Sequence, residues 1–246
     1  MINIIVPLAG QSALFDAVDY PYPKPLIEIN DKTMIQRVIE NYETLPNKKF
    51  IFIVNKSDCD AYHLDNTLSL LTNKQSFIVK LSNYTQGALC SALMATEYID
   101  SKSPLIITNG DQVIDADMAP IVQHLSKSYD AGVVTFESVH PKWSYVRTDV
   151  NGMVIEAAEK RPLSKKAIAG FYYFKHGEDF IASAKHSIAK DSNVGGKYYI
   201  APSLNEMILM NKKVGCYQID NAVYHSLYSP QKIKEYENYL NAKKPN

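Results

Sequence analysis

Ile4-Ile5-Val6-Pro7-Leu8-Ala9-Gly10 and, soon after it, Pro23-Lys24-Pro25-Leu26-Ile27-Glu28-Ile29 decide how the chain is read. The first stretch has no polar residue between Ile4 and Val6, and its β-branched side chains favour a buried strand running into a loop at Gly10. The second sets a lysine between two prolines. Each proline fixes its own φ and pushes its predecessor towards extended backbone, so Lys24 sits on a stiff segment. A stiffly held lysine beside the loop after a first parallel strand is a candidate phosphate ligand. A plain rigid surface turn is the alternative.

Strand and helix signals alternate outward from there. Met34, Ile35, Val38 and Ile39 recur at helical spacing after the turn at Asn30-Asp31-Lys32-Thr33. Phe50 to Val54 is a continuous apolar run of strand length, Asp58 to Leu71 suits a surface helix, and Phe77 to Leu81 is a further strand. This order predicts an α/β fold with right-handed crossovers and a mainly parallel sheet flanked by helices. Ligands in such sheets bind beyond the carboxyl ends of the strands, where Gly10 lies.

Three later stretches carry candidate chemistry. Thr85-Gln86-Gly87-Ala88 opens a helix predicted to reach Ile99, and Gly87 there either admits a ligand to the backbone or simply starts the helix. Pro104 to Asp111 is a strand ending in Gly110-Asp111, whose aspartate projects at the carboxyl edge of the sheet or is a plain turn residue. Asp117 is a predicted N-cap of the helix through Ile121, Val122 and Leu125. Gly132 to Phe136 is a strand. Residues Trp143 to Val154 form a β-hairpin, with Asn151-Gly152 as a type I′ turn, leading to Glu159-Lys160-Arg161-Pro162. By themselves Glu159 and Lys160 read as an exposed charge run on a loop. Ala167 to Phe174, which includes Gly170, is a strand. Helices are expected from Gly177 to Lys190 and from about Tyr198, Val214 to Ile219 is the last expected strand, and Gln231 to Leu240 closes the chain as a helix.

The chain has 246 residues, 46% hydrophobic and 21% charged, with 26 basic and 26 acidic side chains. The charge balance argues against a generally basic nucleic-acid binder and leaves room only for a local basic patch. Cys59, Cys90 and Cys216 show neither metal-ligand spacing nor a disulfide framework, which suits a reducing cytoplasm. Met1-Ile2-Asn3 has no basic leader segment, and no apolar run approaches the ~20 residues of a membrane span. The expectation is a cytoplasmic protein with no membrane and no nucleic-acid partner.

Leu8-Ala9-Gly10-Gln11-Ser12-Ala13-Leu14-Phe15, followed by Pro23-Lys24-Pro25-Leu26-Ile27, resembles the N-terminal signature of the sugar-nucleotide pyrophosphorylases. These sugar-phosphate nucleotidyltransferases join a nucleoside triphosphate to a sugar 1-phosphate. Two family residues differ here: the second glycine is Ser12, and the arginine that helps hold the triphosphate is Leu14. No other Arg or Lys precedes Lys24. The resemblance spans Asn3 to about Tyr236. It implies a Rossmann-like mixed sheet of the nucleotide-diphospho-sugar transferase type with a β-hairpin insertion. It further implies one domain over residues 1–246, with a nucleotide half to about residue 125 and an acceptor half over about 126–236.

The resemblance assigns roles by position. Leu8, Ala9, Gly10, Gln86, Gly87 and Gly110 would bind the nucleotide. Lys24 and Asp111 would be catalytic, with Asp111 holding Mg2+. Glu159, Lys160 and Gly170 would bind the acceptor. Its late element with a second metal-binding aspartate corresponds to His225-Ser226-Leu227-Tyr228-Ser229-Pro230, with Ser226 at the aspartate position. The implied partners are a nucleoside triphosphate and a small phosphorylated substrate, for surface-glycan precursor synthesis, and a homo-oligomer is compatible. Two other functions fit the same residues: a nucleotide- or sugar-binding paralogue without turnover, and a glycosyltransferase using Asp115-Ala116-Asp117.

Overall fold

The computed structural model describes residues 1–11, 13–16 and 18–243. A nine-stranded mixed sheet lies between two layers of helices. Its N-terminal half is parallel: β1 (Ile2–Pro7) lies between β4 (Lys48–Asn55) and β6 (Leu105–Thr108), and β5 (Ser76–Leu81) flanks β4. Alternate side chains serve opposite faces. Ile4, Val6, Phe50 and Phe52 pack on one side, and Ile5, Ile51, Ile53 and Ile107 on the other. Both faces are covered, so these strands read as continuous apolar runs. Full burial of each such side chain stabilises by roughly 1.5–3 kcal/mol.

One layer holds α1 (Met34–Glu40), α3 (Leu64–Leu71) and α6 (Met118–Ser128). The other holds α4 (Ala88–Leu93), α5 (Thr96–Ile99), α7 (Gly177–Ala189) and α8 (Ile200–Leu209). Asp117 caps α6, its carboxylate accepting from the Ala119 N–H at 2.9 Å. Beyond β6 the sheet turns antiparallel. The long strand β11 (Lys166–Phe174) pairs with β6, with β8 (Ala131–Glu137) and briefly with β9 (Ser144–Thr148), which pairs in turn with β10 (Val154–Glu159). β12 (Val214–Gln218) adds in parallel to β8.

Several local expectations need correction. The stretch from Asp58 to Leu71 is two helices, α2 (Lys56–Tyr62) and α3, broken where His63 takes a left-handed φ of 52°. The helix after Gly87 breaks at Ala95 before α5. The turn of the β9–β10 hairpin is not type I′, because only Gly152 has a positive φ, of 82°. Instead the Gly152 N–H donates to the Asp149 carbonyl at 3.2 Å, and the Asp149 carboxylate accepts from the N–H groups of Asn151 and Met153. A bulge next to Val154 compensates for the altered turn. Ser144 still pairs with Glu159, as a two-residue turn at Asn151-Gly152 would have placed it. Nor does the strand count end at Ile219: β13 (Tyr224–Ser226) follows and pairs with β7 (Gln112–Ile114).

A third apolar cluster determines the setting of the first functional segment. Ile27, Ile29, Met34, Val113 and Leu227 pack with Ile233 and Tyr236 of the C-terminal helix α9 (Pro230–Lys243). The small hairpin of β2 (Glu28–Ile29) and β3 (Lys32–Thr33) belongs to this cluster, turning at Asn30 with φ 56°. The Pro-Lys-Pro segment and the strand after Asp111 therefore share one small core with the chain's last helix.

Candidate active site

β4 and β5 extend the sheet to one side of β1, and the chain then returns to lay β6 on the other side. The loops leaving the carboxyl ends of β1 and β6 diverge at this reversal, where open α/β sheets bind ligands. The cleft there, of about 200 Å3, is lined by Leu8, Gly10 and Gln11 from the first loop and by Asn109, Gly110 and Asp111 from the second. Lys24, Pro25 and Ala88 complete its walls.

Lys24 and Asp111 meet in this cleft. The Lys24 Nζ donates to Asp111 Oδ2 at 2.5 Å, across 87 residues of sequence. Both side chains are partly shielded, at 20% and 27% exposure. Their backbones are held independently. Lys24 opens a short 3-10 turn whose carbonyl accepts from the Ile27 N–H, with Pro25 buried behind it. The Asp111 carbonyl accepts from the Leu227 N–H at 2.7 Å. The following strand is held by Asn41, whose side chain makes two hydrogen bonds to the backbone of Ile114. Phe15 lies under the lysine, its ring centre 5.5 Å from Nζ.

The glycines divide by what surrounds them. At Gly10 a Cβ would meet nothing within 4 Å, so its backbone is open towards the cleft. At Gly110 a Cβ would strike Leu8 Cδ2 at 2.2 Å. Gly110 thus lets the second loop lie on Leu8, while Ala9 is buried on the opposite face of the sheet. Gly87 has φ 117° and ψ 173°, and a Cβ would lie 2.3 Å from the Tyr198 carbonyl oxygen. Its glycine character is required by the crossing chain at Tyr198, which bonds to Gln86 and Leu89 on either side of it. The Gln86 side chain is exposed. Gly170, with φ 55°, forms a bulge in β11 against the side chains of Asn109 and Gln112.

At the end of β10, Glu159 is half-buried and takes a short hydrogen bond from Ser144 Oγ. Burial pushes its carboxyl above the ordinary range, against the opposing effects of Ser144 and Lys160. Lys160 follows in the left-handed region at φ 53°. Its ammonium donates to the Tyr199 hydroxyl at 2.9 Å, a bond that raises its pKa. Two phenols lie near these carboxylates, Tyr172 buried and Tyr224 half-buried. Burial and then the charge of Glu159 hold the Tyr172 hydroxyl protonated, and burial and then the charge of Asp111 do so for Tyr224. Tyr224 also donates to Gln112 Oε1 at 3.3 Å.

Ser144 is readable from the hairpin register opposite Glu159, Asn109 from its place beside Gly110-Asp111, and Phe15 from the end of the N-terminal signature. Nothing local marks Tyr172 or Tyr224.

Asp115 is engaged by Tyr239 and Lys243 of α9, and Asp117 caps α6 and accepts from Thr44. Asp115 and Asp117 line a separate depression beside α1, away from the cleft that Asp111 lines. Asp220, the carboxylate nearest upstream of Ser226, caps a 3-10 turn through the Ala222 N–H. Leu14 is exposed at 59%, while Ser12 lies outside the described residues. The three cysteines are free thiols. Among the described residues no helix is long and apolar enough to cross a membrane.

Among the described residues no three His, Cys, Asp or Glu side chains gather as a metal-binding group. In the cleft the lining carboxylate is that of Asp111. Such a donor set fits magnesium, which commonly takes one or two carboxylates and completes its shell with water and substrate phosphates.

Comparison with known proteins bears on the family and the fold. The family model described as nucleotidyl transferase matches residues 18–208. The bifunctional protein GlmU of Methanocaldococcus jannaschii is 25% identical over 175 residues, which is 70% of this chain and 40% of that protein. The chain thus spans about 40% of the length of this curated relative. A nucleoside-diphosphate-sugar pyrophosphorylase from Vibrio cholerae RC9 superposes with a TM-score of 0.83 at 23% identity, covering 96% of this chain and 99% of its own. A UDP-glucose pyrophosphorylase complexed with UDP-glucose superposes at 0.80 and 17% identity, covering 99% and 100%.

Proposed function

This chain belongs to the nucleotidyl transferase family, and we propose that it transfers a nucleotidyl group from a nucleoside triphosphate to a sugar 1-phosphate or similar phosphorylated metabolite. The observation that carries this is the meeting of Lys24 and Asp111 in the cleft at the sheet reversal. A phosphate oxygen of the acceptor attacks the α-phosphorus. The bond from that phosphorus to the bridging oxygen breaks, and pyrophosphate leaves. No covalent intermediate is needed, so the protein contributes alignment and neutralisation of charge.

Each cleft element has a part in that scheme. The open backbone at Gly10 receives the phosphates. Lys24 moves to a triphosphate oxygen, and Gln86 and Gly87 lie where the base would be read. Asp111 would hold a magnesium ion, which when bound would neutralise phosphate charge. Glu159 takes acceptor hydroxyls and Lys160 takes the acceptor phosphate. Tyr172 and Tyr224 stay protonated throughout the working pH range. Synthesis of surface-glycan precursors in the cytoplasm is the setting we assign to this reaction.

The test is a pyrophosphate-release screen, crossing four nucleoside triphosphates with a panel of sugar phosphates and other small phosphorylated metabolites in the presence of magnesium. Release that requires both substrates supports the proposal, and none with any pair sinks it. The exposed neutral Leu14 favours a second reading, a binding protein without turnover. Losing one such positive donor typically costs about 10²–10³ in rate. Leu14→Arg combined with Ser12→Gly should change release little if Lys24 carries the charge. A strong gain over an inactive parent would decide for the binding protein.

A further inference from the structure

We infer that Lys24 and a metal ion compete for the Asp111 carboxylate, so that the free protein excludes the metal and takes it only together with the triphosphate. The inference rests on the reading of Asp111 as the metal-holding residue. It starts from the 2.5 Å contact between Lys24 Nζ and Asp111 Oδ2. An ammonium at that distance occupies one of the two carboxylate oxygens and offsets the negative charge a hard cation would seek. Its positive charge also repels a divalent ion brought to the same carboxylate.

Backbone movement cannot relieve this competition, because both backbones are fixed. Pro23 and Pro25 bracket the lysine, Ile27 bonds back to its carbonyl, and Leu227 holds the carbonyl of Asp111. The third apolar cluster ties both segments to α9. What can move is the flexible four-carbon stem of the lysine. It leaves the carboxylate when another anion offers a comparable place, and the triphosphate entering the cleft beside Gly10 is that anion. Nucleotide binding thus frees the metal ligand and supplies the phosphate oxygens that complete the metal's shell. Lys24 has two positions, on Asp111 in the free protein and on phosphate in the complex.

The experiment measures Mn2+ binding to the free protein by electron paramagnetic resonance, with no nucleotide present. Wild type is compared with Lys24→Met, with Lys24→Gln, which keeps a polar side chain, and with Lys24→Met/Asp111→Asn. Thermal melting verifies that each variant is folded. The expected result is Mn2+ binding at least tenfold tighter in both single variants than in wild type, and its loss in the double variant. Equal or weaker binding in Lys24→Met and Lys24→Gln overturns the competition. If Lys24→Met binds tightly but the double variant binds as well, Asp111 is not the ligand, and the metal assignment itself fails with the inference.

Discussion

Replacing Gly87 by alanine separates a structural glycine from a ligand-binding one. The residue sits at φ 117° and ψ 173°, a region nearly confined to glycine. Holding alanine there costs about 1–3 kcal/mol. Its Cβ would also lie 2.3 Å from the Tyr198 carbonyl oxygen and 2.8 Å from the Tyr198 nitrogen. Those are backbone atoms, so the crossing chain must move as a unit. Two hydrogen bonds would be strained, Tyr198 N–H to Gln86 at 2.7 Å and Leu89 N–H to Tyr198 at 3.1 Å. Each contributes about 0.5–1.5 kcal/mol. Together these effects amount to about 4 kcal/mol, and at roughly 2–4 °C per kcal/mol for a chain of this size the melting point falls by about 8–16 °C. Gly152→Ala is the control. Its φ is 82° but a Cβ there meets nothing within 4 Å. Only the conformational cost remains, about 1 kcal/mol and a few degrees. Differential scanning calorimetry of the two variants beside wild type gives the comparison. Gly87→Ala melting no lower than Gly152→Ala would refute the packing account and return Gly87 to a purely ligand-binding role.

Asp111→Asn should abolish metal-dependent triphosphate binding while the fold survives, because the side chain is part-exposed and its backbone is held by Leu227; calorimetric titration with and without magnesium checks this, and unchanged metal dependence would remove the assignment. Lys160→Ala should raise the acceptor KM about 10–100-fold, the worth of one charge-assisted hydrogen bond, and leave the nucleotide KM alone; a rise confined to the nucleotide KM would misplace the acceptor site. Burial raises the Glu159 carboxyl above its ordinary value of 4.5, so its folding contribution is fully present below that pH and is lost as pH rises through the raised native value. Acceptor affinity, which uses the ionised form, should correspondingly begin to fall on acidification at a pH above 4.5. Glu159→Gln should flatten that acid limb in acceptor KM measured against pH, and an unaltered limb would assign the titration elsewhere.

Local sequence determined the elements and much of their order. Ile4 to Val6, Phe50 to Val54 and the strand before Gly110-Asp111 announced themselves because strands buried on both faces carry no polar residue. The alternation with helices then set the sheet type, and the prolines around Lys24 and the Gly-Asp after a strand marked the cleft because stiffness and strand ends are local properties. The turn at Asn151-Gly152 departs in type from its local signal, since Asp149 offers its carboxylate to the turn backbone and a bulge absorbs the difference. Tertiary structure alone decided what the marked residues do to one another. The ion pair of Lys24 with Asp111 spans 87 residues, and Tyr224 approaches Gln112 across 112. It decided that Gly87 answers to Tyr198, that Asp115 belongs to α9, and that one small core steadies both sides of the cleft. The physical reason is range: propensity and hydrophobic period act over a few residues, whereas a close approach or an ion pair exists only once distant segments have packed.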